Sequence, residues 1–261
     1  MNSPMPAVDP ATVHPATVDP LAAGPQPRIS SWPGRPLGTV LVTGGSSGLG
    51  AAVADAVALA GGTPVVLDLK APDAGYGFVE VDLADSAAAE GAVARAADDA
   101  GGLDAVVTAA GIDRCGQLAD VSTEEWERVV RVNLLGTAAV VRAATPHLER
   151  VHGTVVTVAS TLGLRALPDA SAYCASKFGV IGFTRAFAAE TAGRIGVTLL
   201  IPGGMWTHFF DDRPDQYKPG SDAALNDPGE TADAVLYALT RPAGSEVREM
   251  VVAASAETSW P

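Results

Sequence analysis

The sequence contains few cysteines and few aromatic residues, and each shortage narrows the class of protein. The two cysteines in 261 residues, Cys115 and Cys174, form neither a metal-ligand spacing nor a disulfide framework. We therefore expect no metal site. Aromatic residues make up 5% of the chain, whereas hydrophobic residues of all types make up 48%. The core is expected to consist of small aliphatic side chains, which let helices pack closely on a sheet.

Positive charge is also scarce. The formal net charge is −13 and the sequence pI is about 4.6, and the chain has no run of basic residues. Binding to nucleic acid requires a basic footprint, so we expect no nucleic-acid partner and no binding to an anionic membrane surface. The acidity is interpreted as a contribution to solubility.

Long apolar runs are absent as well. No uninterrupted apolar stretch is long enough to span a bilayer, and the N-terminus lacks the basic region and apolar stretch of a secretory signal. These features predict a cytoplasmic protein with no membrane partner. The length of 261 residues suits one α/β domain around a single core.

Residues 1–36 differ in composition from the rest of the chain. They contain the near-repeat VDPATVHPATVDP and nine of the 19 prolines. Proline removes backbone hydrogen-bond donors, and the few large apolar groups here bury too little surface to offset the entropy of ordering. We predict a disordered, low-complexity tail over residues 1–36, followed by one folded domain over residues 37–261.

From Thr39 onward, apolar β-branched segments alternate with segments of helical periodicity. The predicted strands read TVLVTG, PVVLDL, GFVEVDL, LDAVVTAAG, GTVVTVAS, IGVTLLIPGG and REMVVAA. Helices are predicted between most of them, the longest being TEEWERVVRVNLLGTAAVVRAATPHL. Apolar strands joined by helices predict a parallel sheet covered on both faces, the doubly wound α/β class or Rossmann fold. In such a fold, ligands bind at the carboxyl ends of the strands.

The turn TGGSSGLG, residues 43–50, joins the first predicted strand to the first helix. Gly44, Gly48 and Gly50 leave room for a pyrophosphate to approach the backbone, and the helix N-terminus offers unpaired N–H groups to its phosphates. Glycines also occur in tight turns for conformational reasons alone. The position between a strand and a helix favours a dinucleotide site.

Asp68 ends the second predicted strand, 18 residues after Gly50. A carboxylate at this point accepts hydrogen bonds from the hydroxyls of an adenosine ribose and repels a 2′-phosphate. The glycine turn has Ser47 before Gly48 and no basic residue that would neutralise such a phosphate. NAD is therefore favoured over NADP, although Lys70, two residues beyond Asp68, leaves NADP as an alternative.

Tyr173 and Lys177 stand four residues apart in SAYCASKFGVIGFTR, on one face of a predicted helix. Such a pair is also compatible with an ordinary surface contact. A phenol has an ordinary pKa of about 10, too high for a base at neutral pH. A nearby ammonium favours the phenolate. We therefore expect Lys177 to lower the pKa of Tyr173 toward neutrality and make it a general acid/base.

Two further polar residues extend this pattern. Ser160 ends a predicted strand 13 residues before Tyr173, and Asn133 lies within the longest predicted helix. With them, residues 38–240 resemble the short-chain dehydrogenase/reductase family in its compact single-domain branch. The motifs that carry the resemblance are TGGSSGLG, Asp68, VDL at 81–83, AAG at 109–111, Asn133, Ser160, YCASK and IPGGMWT at 201–207.

The resemblance implies an oxidoreductase that transfers a hydride between NAD(H) and a secondary alcohol or ketone. It implies that Tyr173 is the general acid/base, that Lys177 binds the nicotinamide ribose, and that Ser160 polarises the substrate oxygen. Asn133 is implied to support a water that links Lys177 to solvent. Taken singly, Ser160 is also explained as a strand-end hydroxyl and Asn133 as a polar group inside a helix.

The resemblance further implies a set of residues around the cofactor and a mode of assembly. The cofactor-binding set comprises Gly44, Ser46, Ser47, Gly48, Leu49, Gly50, Asp68, Asp82, Leu83, Ala110, Gly111, Tyr173, Lys177, Pro202, Gly203 and Thr207. The chain departs from the family in reading TAAG instead of Asn-Asn-Ala-Gly and in lacking the Asp-Gly-Gly ending of its tetramers. A homodimer or homotetramer is expected, with helices 123–149 and 172–191 as the dimer contact.

The loops that follow AAG, Ser160 and PGG are expected to wall the substrate pocket. The predicted pocket comprises Asp113, Leu162, Leu167, Trp206, His208, Phe209 and Phe210. Its mostly apolar and aromatic character suits a hydrophobic small-molecule alcohol or ketone. One alternative is an NADPH-dependent ketoreductase of 3-oxoacyl groups on an acidic carrier protein, docked through Arg128, Arg131 and Arg165. Another is a non-catalytic NAD-binding module.

Overall fold

The computed structural model describes residues 34–258. The disordered tail predicted over residues 1–36 lies almost entirely outside this range and stays a prediction. Seven parallel strands form one sheet in the order β3-β2-β1-β4-β5-β6-β7. The strands are β1 Thr39–Thr43, β2 Thr63–Asp68, β3 Gly77–Glu80, β4 Ala105–Thr108, β5 Thr154–Val158, β6 Gly196–Pro202 and β7 Glu249–Val252.

Helices cover both faces of this sheet, as the doubly wound class requires. They are α1 Gly48–Leu59, α2 Ser86–Ala100, α3 Thr123–Val130, α4 Thr137–Val151, α5 Ser171–Glu190 and α6 Pro228–Leu239. No helix within the described residues is long and apolar enough to cross a membrane. The predicted fold class is confirmed.

Side chains that alternate along the strands build two cores. On β1, Leu41 packs with α2 and α4 on one face, whereas Val40 and Val42 pack with α1 and α6 on the other. All three side chains are fully buried. Because a strand directs successive side chains to opposite faces, a continuous apolar run satisfies both layers. This explains why the strands read as uninterrupted apolar stretches.

The longest predicted helix is interrupted by one turn of π-helix. Helix α3 begins at a capping box, in which Ser122 and Glu125 satisfy each other's backbone N–H groups. The π turn spans Arg131–Gly136 and connects α3 to α4. A side chain at Gly136 would stand 2.6 Å from the carbonyl oxygen of Leu83, so the turn packs directly on that backbone. π turns of this kind are frequent at functional sites.

The glycine turn, Asp68, the AAG loop, Ser160 and the PGG loop all lie at the carboxyl ends of strands. The strand order changes direction between β1 and β4, because the chain crosses from β3 back past β1 to form β4. Doubly wound sheets open a ligand crevice at this kind of switch point. The glycine turn after β1 and the loop after β4 lie on the two sides of it.

Candidate active site

The glycine turn after β1 is shaped by the absence of side chains. Gly44 and Gly48 have φ angles of +69° and +52°, values that other residues rarely adopt. A Cβ atom at Gly50 would stand 2.1 Å from the carbonyl oxygen of Gly44. The first turn of α1 therefore packs against the glycine turn at a distance that only glycine permits.

Asp68 is connected to this turn by backbone hydrogen bonds. Its Oδ2 accepts from the N–H of Ser46 at 3.0 Å, and its Oδ1 accepts from the N–H of Leu69 at 2.6 Å. The hydroxyl of Ser46 donates to the carbonyl of Lys70. Asp68 is thus held at the end of β2 beside the exposed Ser47, which precedes α1.

The loop after β4 is held between the glycine turn and the long helix. The N–H of Ala110 donates to the hydroxyl of Thr43 at 3.1 Å. A Cβ atom at Gly111 would lie 3.5 Å from Nζ of Lys177 and 3.6 Å from Oδ1 of Asn133. Three predicted site residues therefore meet here, although those separations are ordinary contacts that leave room for a side chain at Gly111.

Asn133 lies in the π turn and anchors the loop after β4. Its Oδ1 accepts from the N–H of Ile112 at 2.8 Å, and its Nδ2 donates to the Ile112 carbonyl at 2.9 Å. The same Nδ2 lies 3.0 Å from the hydroxyl of Ser176, which donates to the carbonyl of Tyr173 at 2.8 Å. Asn133 is completely buried. It links the π turn to both the β4 loop and α5.

Ser160 and Tyr173 meet beyond the end of β5. Ser160 caps a short 3₁₀ turn at Thr161–Gly163, where its Oγ accepts from the N–H of Leu162 at 3.1 Å. A hydrogen bond with the Ser160 hydroxyl favours the phenolate of Tyr173 and so acts to lower its pKa. Both residues are buried, with 8% and 9% of their surfaces exposed.

The predicted lowering of the Tyr173 pKa is wrong for the ligand-free chain. Burial raises the pKa of Tyr173 to about 12, because desolvation outweighs the hydrogen bond from Ser160. Nζ of Lys177 lies 5.6 Å from the centre of the phenol ring and donates to the carbonyl of Val158 at 2.9 Å. The ammonium stands on the same side as the phenol, but it does not offset the loss of solvent.

Lys177 is itself strained electrostatically by its position. Only 3% of the residue is exposed, and burial lowers its pKa to about 8 because the charged form is desolvated. The Val158 carbonyl is a neutral partner and compensates only in part. Because Lys177 is buried and has no carboxylate partner among the described residues, its positive charge lowers the stability of the fold at neutral pH.

The remaining predicted cofactor residues divide into backbone and side-chain contributions. Asp82 pairs with Arg128 at 3.1 Å and accepts from the N–H of Ala84 at 2.9 Å. Leu83 and Leu49 are 7% and 6% exposed, and their side chains belong to the two cores. These two leucines therefore border the crevice with backbone atoms only.

The loop after β6 returns over the glycine turn. Pro202 ends β6 and is buried, and Gly203 follows with its N–H bonded to the carbonyl of Val252. A Cβ atom at Gly48 would lie 3.4 Å from Cβ of Thr207, so Thr207 stands directly over the turn. The crevice is thus bordered from both sides.

The predicted substrate pocket is assembled only in part. Phe209 packs on Tyr173 with ring centres 5.7 Å apart and contacts Phe210 on its other side, and Leu162 packs against the cluster that contains Tyr173. Asp113 is buried in an ion pair close by, with 4% of its side chain exposed. The remaining three predicted pocket residues, Leu167, Trp206 and His208, are exposed to solvent.

Comparison with known proteins identifies this architecture. The family model described as short chain dehydrogenase matches residues 38–218, more than half of the chain. The chain belongs to the short chain dehydrogenase family. The family predicted by resemblance in the sequence is therefore confirmed.

Individual relatives of this short chain dehydrogenase differ in length. The chain is 32% identical over 249 residues to glycine betaine reductase ATRR of Emericella nidulans, covering 87% of this chain and 20% of that protein. It is 36% identical over 168 residues to D-threitol dehydrogenase of Mycolicibacterium smegmatis, covering 59% of this chain and 64% of that protein. The chain thus spans less than two thirds of the length of either relative.

A solved structure shares the fold. The alcohol dehydrogenase from the archaeon Thermococcus sibiricus, solved with 5-hydroxy-NADP, superimposes with a TM-score of 0.74 at 24% identity. The match covers 84% of this chain and 97% of that one. At this identity the likeness describes the fold of the short chain dehydrogenase and leaves its substrate and cofactor open.

The residues of this short chain dehydrogenase fit a bound dinucleotide. Gly44 and Gly50 let the turn pack closely on Ala110 and on the first turn of α1, and the exposed Ser47 precedes α1, whose first N–H groups can bind a phosphate. Thr108, at the end of β4, has a buried hydroxyl without a hydrogen-bond partner among the described residues. A polar ligand at this edge would find donors and acceptors already in place.

Three residues that matter to the short chain dehydrogenase site were missed in the sequence. Ser176 lies inside YCASK and bridges Asn133 to Tyr173. Arg213 pairs with Asp113 at 2.6 Å, and Glu257 accepts from the N–H of Gly204 at 2.9 Å. Ser176 stands one residue before Lys177 and was identifiable from that spacing. Arg213 and Glu257 lie in irregular segments without a local signal.

Proposed function

We propose that this protein is an NAD(H)-linked oxidoreductase that interconverts a secondary alcohol and a ketone of a fairly apolar small molecule. The observation that carries the proposal is the meeting of Ser160, Tyr173 and Lys177 beside the glycine turn, in a chain of the short chain dehydrogenase family. The relative named D-threitol dehydrogenase supports redox chemistry on an alcohol, and the one named glycine betaine reductase supports redox chemistry in general.

Each site residue has a defined task in this reaction. NAD, when bound, supplies the hydride acceptor and a positive charge close to the phenol. Ser160 holds the substrate hydroxyl, and Tyr173 takes its proton as the carbon–hydrogen bond breaks and the hydride leaves. In the reverse direction Tyr173 returns the proton to the carbonyl oxygen. The raised pKa keeps Tyr173 protonated in the free protein, which suits its role as the acid.

Lys177 is proposed to exchange protons with this centre, and Asn133 is proposed to position it. Lys177 is buried near the phenol and carries a pKa lowered to about 8, so it can exchange a proton near neutral pH. Asn133 holds the β4 loop beside Lys177 through its two hydrogen bonds to Ile112. A proton released at Tyr173 would pass to Lys177 and from there to solvent through a water that Asn133 is proposed to support.

The preference for NAD rests on Asp68. Two backbone N–H groups hold its carboxylate at the end of β2, where it would accept hydrogen bonds from a ribose and repel a 2′-phosphate. Lys70 is exposed two residues further on and is the residue that would favour NADP. The carboxylate is held by the turn itself, so we propose that its repulsion dominates.

The carrier-protein alternative receives no support from its three candidate arginines. Arg128 pairs with Asp82 and Arg131 pairs with Glu127. Arg165 donates to the carbonyl of Thr258 at 3.0 Å. Arginines already engaged within the chain offer a weak docking patch for an acidic carrier.

We propose that the chain forms a homodimer or homotetramer, and two exposed apolar side chains support this. Leu135 on the π turn and Phe178 on α5 are large apolar side chains that are 47% and 46% exposed. They lie on the two helical segments that the sequence predicts as a dimer contact. Burying such side chains against a second copy is favourable, at about 25 cal/mol for each Å² of apolar surface.

Direct binding and turnover test the cofactor assignment. We expect NADH to bind at least about tenfold more tightly than NADPH, because one repelled phosphate costs on the order of 1.4 kcal/mol or more. Isothermal titration gives the two affinities, and a panel of secondary alcohols gives turnover with each cofactor. Asp68→Ala is expected to narrow the gap between them.

Two outcomes would contradict the proposal. Tighter binding of NADPH would overturn the Asp68 assignment and favour the ketoreductase alternative. Tight NADH binding without turnover of any alcohol or ketone would favour a non-catalytic NAD-binding module.

A further inference from the structure

A long loop follows β6 and reaches the region of Tyr173. Residues 205–226, named here the substrate loop, are paired at their base by a parallel bridge between Met205 and Asn226. The N–H of Trp206 donates to the carbonyl of Asn226 at 2.9 Å and strengthens that base. The substrate loop is therefore closed at its base, where its two ends pair.

One buried ion pair fixes the substrate loop to the opposite wall of the site. Nη2 of Arg213 donates to Oδ2 of Asp113 at 2.6 Å, and Nη1 donates to the carbonyl of Tyr217 at 3.3 Å. The Arg213 and Asp113 side chains are 18% and 4% exposed. A charge-assisted bond that is largely removed from water is stronger than one on the surface.

Arg213 also determines the position of the ring that contacts Tyr173. Its guanidinium carbon lies 5.2 Å from the ring centre of Phe209 and 4.6 Å from that of Phe210. The Phe209 ring in turn lies 5.7 Å from the ring of Tyr173. A continuous row of contacts therefore leads from Asp113 through Arg213 and Phe209 to the phenol. The guanidinium lies over both rings, and a lysine ammonium does not reproduce a contact of this shape with two rings at once.

One buried hydrogen-bond donor is left unsatisfied when the substrate loop is in this position. Nε of Arg213 is buried and has no hydrogen-bond partner within residues 34–258. A second attachment, from the Tyr217 hydroxyl to Oδ2 of Asp169, is longer at 3.2 Å. An unsatisfied buried donor lowers the cost of opening, so the loop is held firmly by one pair and weakly elsewhere.

We propose that Asp113 and Arg213 are positioning residues that latch the substrate loop over Tyr173 and press Phe209 against the phenol as one wall of the substrate site. The catalytic consequence rests on the proposed alcohol–ketone chemistry, whereas the latch itself is a property of the ligand-free chain. Neither residue touches the reacting atoms in this arrangement. The latch acts through Phe209.

Hydrogen exchange of the ligand-free protein tests the latch without any turnover. In Arg213→Met and Asp113→Asn, amide exchange across residues 205–218 is expected to accelerate at least about tenfold, since a buried charge-assisted bond is lost. Exchange in β1 and α1 is expected to stay unchanged. Arg142→Met is the matched control, because it breaks an exposed arginine–glutamate pair of similar length, 2.7 Å to Glu90.

A double variant distinguishes loss of the latch from a general loss of stability. The double variant Asp113→Asn/Arg213→Met is expected to exchange no faster than the worse single variant, because both changes remove one interaction. Arg213→Lys keeps the charge but loses the stacking and is expected to lie between the wild type and Arg213→Met. If Arg213→Met does not fold, Arg213→Lys and Tyr217→Phe carry the same comparison.

Kinetics separates the latch from the proposed reaction. In Arg213→Lys, KM for the alcohol is expected to rise by about tenfold or more, with a smaller change in kcat and none in cofactor affinity. Unchanged exchange in both single variants would overturn the latch. Faster exchange in a protein that turns over no alcohol would support the latch and overturn the proposed function. Additive effects of the two substitutions in the double variant would also overturn the latch.

Discussion

The proposed cofactor side and the proposed substrate side of the crevice are built by different means. On the cofactor side, backbone geometry defines the surface: Gly44 and Gly48 adopt positive φ angles, and Gly50 packs where a Cβ atom does not fit. On the substrate side, side chains define it, through the Asp113–Arg213 pair and the Phe209 ring. On the first surface a side chain at Gly44 or Gly50 collides with backbone atoms, whereas the side chains of the second surface can be exchanged.

This difference assigns distinct consequences to mutation on each side. A change on the cofactor side is expected to damage folding and cofactor binding together, because the same backbone atoms serve both. A change on the substrate side is expected to alter chemistry or KM while cofactor binding survives. Three variants, from the largest expected effect to the smallest, break or sharpen this contrast.

Tyr173→Phe is expected to have the largest effect. Removal of the phenol hydroxyl takes away the proposed acid/base, and turnover is expected to fall about 10²- to 10⁴-fold. Cofactor affinity is expected to stay within about twofold of the wild type, since no hydride or proton moves on binding. Steady-state kinetics and titration with NADH measure the two quantities. Tyr237→Phe, at an exposed tyrosine of α6, is the control.

High residual turnover in Tyr173→Phe would contradict this prediction. It would mean that another group transfers the proton. A parallel loss of cofactor affinity would instead weaken the distinction between the two sides of the crevice.

Gly50→Ala is expected to damage the cofactor side. The added Cβ would stand 2.1 Å from a backbone oxygen that cannot move without displacing the whole turn. We expect the free energy of unfolding to fall by at least about 3 kcal/mol, the upper part of the usual range for overpacking. Denaturant unfolding measures this loss, and NADH titration measures the accompanying loss of affinity.

Gly91→Ala is the matched control on α2. Its nearest neighbour would be a nitrogen of Arg95 at 3.6 Å, an ordinary contact. Alanine inside a helix is favoured over glycine, so stability is expected to rise by about 0.5–1 kcal/mol. Similar effects of the two substitutions would show that Gly50 is not sterically required.

Lys177→Met is expected to have the smallest effect of the three variants. It is expected to raise the stability of the fold, whereas Gly50→Ala lowers it. The pKa of Lys177 is lowered to about 8 in the folded chain from an ordinary value of 10.5. Below pH 8 both folded and unfolded chains are charged, and the folded state bears the full cost of the buried ammonium. Removing that charge at pH 7 is expected to raise the free energy of unfolding by about 1–3 kcal/mol.

The stability difference between Lys177→Met and the wild type is expected to depend on pH. As pH rises from 8 to 10.5, the folded chain loses the proton while the unfolded chain keeps it, so the cost in the wild type disappears. The advantage of Lys177→Met is therefore expected to shrink over that interval. Denaturant unfolding at several pH values measures it, with Lys70→Met at an exposed lysine as control. A constant or growing advantage would show that burial does not lower the pKa of Lys177.

Much of the fold was predictable because its signals are local. The first and sixth strands end at glycines, and the parallel arrangement follows from apolar runs joined by helices. Ser160, Tyr173 and Lys177 lie close together beyond β5, and Asn133 lies beside Lys177; their catalytic roles stay predictions. The π turn at Arg131–Gly136 was not predicted, because it depends on the packing of Gly136 against Leu83 and not on helix propensity.

The substrate side was the less predictable part. Leu167, Trp206 and His208 were expected in the pocket but face solvent. Apolar or aromatic character in a loop indicates contact with something, but it does not indicate which partner the loop meets. Arg213 was missed for the same reason, since its partner Asp113 lies 100 residues earlier in the chain.

The sequence alone determined the order of strands and helices, the backbone freedom of the glycine turn, and the one-turn spacing of Tyr173 and Lys177. These features depend on residues close together in the chain. Tertiary structure decided the direction of both pKa shifts, because burial is set by elements that meet only in the folded state. It also decided which loop covers the phenol, because one buried ion pair joins segments that no local pattern connects.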